Sequence, residues 1–113
     1  MTQHIADNTK NIMLDSLSVL SIGLHRAAPG GDGLSNEITS SSYSRQSCSF
    51  GIASSGKRVL IDDVKFSLTT GDVVNFVSYW SGNTFVMSES VDPIFYSANG
   101  LLTINALTTV LTI

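Results

Sequence analysis

The stretch VVNFVSYWSGNTFVMSE, residues 73–89, decides how the rest of the chain is read. Two runs rich in β-branched and aromatic residues flank Ser81-Gly82-Asn83, so the stretch predicts a hairpin with strands over 73–80 and 84–89. In the first arm Val74, Phe76 and Trp80 share one parity, and Val73, Val77 and Tyr79 share the other. Successive side chains on a strand point to opposite faces, so both faces of this one are apolar. Such a strand is either central in its sheet or at an interface.

The same texture extends in both directions. Downstream, Pro93 breaks the strand pattern, 94–96 resumes it, and Asn99-Gly100 turns the chain. Residues 101–113 then alternate apolar side chains with Thr103, Thr108, Thr109 and Thr112, which predicts one closing strand. Upstream, Thr70-Gly71-Asp72 is a turn, and short strands over 64–68 and 59–61 are split at Asp62-Asp63. Residues 43–52 make another strand candidate, anchored by Tyr43 and Phe50. PGGDG at 29–33 is the densest turn signal and opens a long polar loop that runs to residue 42. Before it, 18–25 reads as a strand with Leu20, Ile22 and Leu24 on the buried face.

Only residues 3–17 read as helical, capped by Asp7 or Thr2, with Ile5, Ile12, Met13 and Leu17 loosely on one face. The expectation is therefore a mainly β chain. It divides into an N-terminal helix or arm over 1–17 and a single domain over 18–113. Seven or eight short strands with frequent turns predict an antiparallel β-sandwich or jelly roll, with a compact barrel as the alternative.

Composition narrows the function classes. Charged residues are 13% of the 113, about half of ordinary usage, and Ser and Thr fill the gap at about a quarter of the chain. A surface of that kind suits exposed sheets, or packing within a larger assembly. The net charge of −3 without a basic stripe argues against nucleic acid as a partner. No apolar run reaches the ~18 residues that cross a bilayer, and residues 1–4 do not begin a signal peptide, so no membrane partner is expected. A single cysteine, Cys48, rules out an internal disulfide framework and reads as a small buried hydrophobe.

Each residue that could carry chemistry has a plainer reading beside it. His25 could be a base or a metal ligand. Zinc needs three or four ligands, and two His and one Cys far apart in sequence barely meet that count. The plainer reading is a strand-end residue that holds the loop by hydrogen bonds. Serines are plentiful, but none lies in a Gly-x-Ser-x-Gly elbow. Asp62-Asp63, and Glu89 with Asp92, could supply paired carboxylates, although polar strand ends explain both. Tyr79 and Trp80 beside the turn would stack on a sugar or anchor an interface if exposed; the favoured expectation is that Trp80 closes one end of the core. No catalytic, cofactor or metal residue is assigned.

The order of these pieces resembles a known family. SIGLH at 21–25 enters Pro29-Gly30-Gly31; Asn36-Glu37 follows, then YSRQ at 43–46 and Phe50-Gly51, with Tyr79-Trp80-Ser81 and Gly82 further on. This is similar to small proteins of tailed bacteriophages, often labelled tail-fibre or virion structural proteins. Arg26 stands where that family commonly has a small hydroxyl residue, and 91–100 lacks its Gly-Asp turn. The resemblance implies that the motif is architectural. Pro29 and Gly30 shape the loop, Asn36 and Glu37 fix it to backbone, and Arg45 pairs with Glu37. Arg26 and Tyr43 join them as loop or interface candidates. It also implies a non-enzymatic virion protein, assembled in the host cytoplasm, whose partners are copies of itself and a capsid or tail protein. Low charge, the long loop and the N-terminal arm favour a head decoration, or cement, protein. A homotrimer would suit the threefold positions of a shell. The alternative is a small tail or fibre component that binds host glycans through Tyr79 and Trp80.

Overall fold

The computed structural model describes residues 5–16, 21–106 and 109–112. The chain is mainly β, with antiparallel sheets and one short N-terminal helix. Helix α1 spans Asp7–Ser16. The strands are β1 Ser21–His25, β2 Gln46–Ser47, β3 Lys57–Val59, β4 Val64–Leu68, β5 Val73–Ser81, β6 Thr84–Phe95, β7 Gly100–Ile104 and β8 Val110–Thr112. One sheet has the order β2-β1-β5-β6, and two ribbons pair β3 with β8 and β4 with β7.

The 73–89 stretch is the centre of that architecture. β5 lies between β1 and β6, and its Val74, Val77, Ser78, Tyr79 and Trp80 are all buried, on both faces. The core gathers Ile22 and Leu24 from β1, Val77 and Tyr79 from β5, Val64, Phe66 and Leu68 from β4, and Leu60 and Leu111 from around the other ribbon. Burying each such aliphatic or aromatic side chain stabilises the fold by about 1.5–3 kcal/mol.

Several elements differ from the sequence expectation, among them β3, which spans Lys57–Val59 rather than 59–61. β6 runs straight through Pro93. It is an edge strand, and the pairing slips there, with Val74 opposite Ile94 but Phe76 opposite Ser90. A bulge on a sheet edge is where a residue without an N–H is tolerated. The 43–52 candidate contracts to β2 because the chain changes partner near Cys48. Gln46 pairs with Ile22, whereas Phe50 bridges to Leu60 in the opposite layer. The single closing strand becomes β7 and β8, which serve different ribbons; Asp63 holds the corner between them by accepting from the Ala106 amide at 2.6 Å.

A last correction concerns the helix. Leu14 is its only described buried side chain, while Ile5, Ile12 and Met13 are 42%, 70% and 41% exposed. Leu17, the fourth residue of the expected face, lies outside the described residues. Polar contacts complete the docking. Asp15 Oδ1 accepts from the Ala53 amide and Asn11 Oδ1 from the Gly56 amide, each at 2.8 Å. Arg58 donates to the carbonyls of Leu14, Phe50 and Gly51.

Candidate functional site

Alternation along β1 creates two environments. Ile22 and Leu24 pair with Tyr79 and Val77 on the core side of the sheet. Ser21, Gly23 and His25 pair with Trp80, Ser78 and Phe76 and so face the other way. The 26–45 excursion supplies the side chains that meet this second face.

His25 is fully buried between sheet and loop. Its Nδ1 is 2.9 Å from the Ser35 carbonyl and its Nε2 is 2.7 Å from Ser78 Oγ. A carbonyl only accepts, so Nδ1 carries a proton and donates, while Nε2 and the Ser78 hydroxyl share the second bond. Ser78 Oγ in turn accepts from Trp80 Nε1 at 2.8 Å. Each polar atom in this chain has a partner, which is the condition for burying it cheaply.

Glu37 and Arg45 close the loop over the same face. Arg45 donates from Nε to Glu37 Oε2 and from Nη2 to Oε1, both at 2.9 Å, the two-pronged geometry that makes such pairs strong. The Arg45 guanidinium carbon lies 3.6 Å from the Trp80 ring centroid, a cation–π contact. Tyr43 donates to Glu37 Oε2 at 2.6 Å and accepts from the Leu24 amide at 2.9 Å. Burial pushes the Glu37 carboxyl up, but the bonds from Arg45 and Tyr43, with the charge of Arg45, outweigh it and hold it below its usual range. The Tyr43 phenol is pushed up by burial and by its bond to that carboxylate.

Two glycines make the seam possible. A Cβ on Gly23 would lie 2.7 Å from Ser78 Oγ, 3.1 Å from Glu37 Oε2 and 3.2 Å from Tyr43 Oη. At Gly33, where φ is +75°, a Cβ would meet the Phe85 ring at 2.4 Å and Trp80 at 2.9 Å, so the loop tip rests on that aromatic pair.

The candidates from the sequence fall into place as follows. Arg26 itself is exposed; its amide donates to the Asn36 carbonyl and its carbonyl accepts from Asn75 Nδ2. Pro29 is buried and its carbonyl accepts from Ser35; Gly30 turns with φ +78°. Asn36, at φ +61°, donates from Nδ2 to the Ala28 carbonyl. These residues, with Glu37, Tyr43, Arg45 and Trp80, belong to one seam. Tyr79 lies across the sheet, where its hydroxyl donates to Glu89. Tyr79 and Trp80 are each 2% exposed, so the glycan platform expected of them in the tail reading is not formed: both rings are packed inside.

Ser78, Gly23 and Gly33 joined the seam without being singled out. Only the juxtaposition of a Ser and a Gly across β1 and β5 could have signalled them, and that requires the register. Ser78 with His25 has the outline of a nucleophile and its base. Both are 0% exposed, however, Ser78 Oγ is held by Trp80 as well as His25, and Nδ1 faces a carbonyl rather than a carboxylate. The arrangement fastens a loop.

Outward-facing features are of a different kind. A shallow groove of about 320 Å³ runs along the end of the β4–β7 ribbon, where Ser42 meets Thr69 and Asn99. A smaller hollow of about 110 Å³ lies beside Cys48, Asp62 and Asp63. Among the described residues no three His, Cys, Asp or Glu side chains are grouped as metal ligands, and no helix is long and apolar enough to cross a membrane. No protein family, curated protein or solved structure matches the chain.

Proposed function

We propose that this chain is a structural protein of a tailed-bacteriophage virion, a capsid decoration protein that cements the head shell and is not an enzyme. The observation that carries this reading is the direction in which the family-like residues point. Of the polar side chains that distinguish 21–51, His25, Tyr43 and Arg45 fasten the 26–45 loop to the sheet, and Glu37 and Asn36 brace the loop from within. A motif spent on architecture suits a protein whose product is a surface. The outer face fits an assembly role: it is sparsely charged, and Ile12, Leu34, Ile52, Phe95 and Leu101 stand at least 64% exposed. On a shell, burial of such side chains against the major capsid protein and neighbouring copies would stabilise the particle by linkage. A homotrimer would match the threefold lattice positions.

Copy number per particle tests this, measured by quantitative mass spectrometry of purified virions. On the order of hundreds of copies, near the count of the capsid protein, is the expected result. A handful per particle would move the chain to the tail or fibre and overturn the head assignment. Absence from virions would overturn the particle role itself.

A further inference from the structure

We infer that the groove at the end of the β4–β7 ribbon is a binding site for a neutral saccharide. This inference does not depend on where in a particle the chain sits. No charged side chain lines the groove, so neither a phosphate nor a cation finds a counter-charge there. Leu101, 64% exposed, supplies the apolar surface; Leu68 borders the groove but is 2% exposed and belongs to the core. Hydroxyl and amide groups supply the rest.

The hydrogen-bond bookkeeping shows what these polar groups still offer. Asn99 Oδ1 accepts from the Thr70 amide at 2.9 Å and from the Thr70 hydroxyl at 3.2 Å. That orients the side-chain amide and leaves both Nδ2 hydrogens without a partner among the described residues. The Ser42 hydroxyl lies 3.2 Å from the Ser67 carbonyl and 2.8 Å from Thr69 Oγ1, and either hydroxyl of that pair can donate to the other. The groove therefore presents a fixed donor at Asn99 beside the hydroxyls of Thr69 and Ser67, which can both donate and accept. Neighbouring hydroxyls on a sugar ring both donate and accept, while the C–H face of the ring is apolar. A lining that offers donors and acceptors beside leucine fits that chemistry. The volume of about 320 Å³ is at the small end of ligand sites and suits one or two sugar rings.

The test is a titration of the intact ¹⁵N-labelled protein, followed by amide chemical shifts. The probes are maltotriose, cellotriose and the trimer of N-acetylglucosamine, with inorganic phosphate as the charged control. The expected result is saturable shifts at 67–70 and 99–101 for at least one sugar, with a dissociation constant in the roughly millimolar range of a shallow site, and none with phosphate. Asn99→Asp keeps the oxygen that Thr70 uses and removes the donor, so it should keep the melting temperature and weaken binding about fivefold or more. Leu101→Ser removes apolar lining from an exposed position and should weaken binding without unfolding. Three results would each overturn the inference: no saturable shift with any of the three sugars, shifts that map elsewhere, or an Asn99→Asp variant that binds as well as the parent.

Discussion

Arg45 serves two partners, the Glu37 carboxylate and the Trp80 ring, so Arg45→Ala should cost more than an ordinary surface substitution. The pair is partly exposed, with side chains 27% and 21% accessible, which limits the loss to about 1–3 kcal/mol in a urea unfolding curve. A variant as stable as the parent would mean that the clasp contributes nothing. Acid should loosen the same clasp. The Glu37 pKa is depressed in the folded chain, so its contribution is complete above the ordinary value of 4.5. It is lost as the pH falls through 4.5 toward the lower folded value, because the unfolded chain takes up the proton first. Between pH 6 and 3 the unfolding midpoint should fall more steeply for the parent than for Glu37→Gln. Gly23→Ala should be as damaging as a core change, by about 2 kcal/mol or more, since its methyl has no space beside Ser78. At this scale the Glu37–Arg45 pair is the one contact that the resemblance implied and that the folded chain forms between those two side chains. Ser78 was not legible in sequence: a serine acquires its meaning only when pairing places it opposite Gly23 and next to His25.

Among the elements, the helix separates what docks it from what merely looks apolar. Leu14→Ala should cost about 2–4 kcal/mol by thermal or urea unfolding, since Leu14 is fully buried. Ile12→Ser, at 70% exposure, should change stability by no more than about 0.5 kcal/mol. The reverse order would mean that the helix packs on the face expected from its spacing. That face misled because so short a helix, with Asn11, Asp15 and Arg58 pinning its flank, needs only one apolar anchor. The strands were legible wherever one partner suffices, as in β1, β4 and β5. They were not where a single run changes partner, as at 43–52 and 101–113, because alternation records burial and not the neighbour responsible for it. Pro93 shows the same limit, since tolerance of proline depends on lying at an edge.

On the scale of the whole molecule, one four-stranded sheet is covered twice, by the core ribbons on one side and by its own loop on the other. Alternation and frequent turns foretold the β class, and composition the spare use of charge. Neither could foretell that the densest turn sequence folds back as a lid, because loop docking depends on buried hydrogen bonds rather than on periodicity. Global cooperativity can be read at Cys48, whose thiol is pushed up to about 11 by burial. Labelling by a thiol-reactive disulfide at pH 8 should be slow in the folded protein and should accelerate sharply at the unfolding midpoint. Fast labelling in native buffer would place Cys48 in a region that opens locally. The seam beneath the lid also has an optical consequence. Trp80, the sole tryptophan, has a cation over its ring, Phe85 tilted against it and its indole N–H engaged by Ser78. Its emission wavelength and near-ultraviolet dichroism therefore report on one side of the sheet alone, so that undocking of the lid can be watched in real time while the far-ultraviolet signal of the strands stays unchanged.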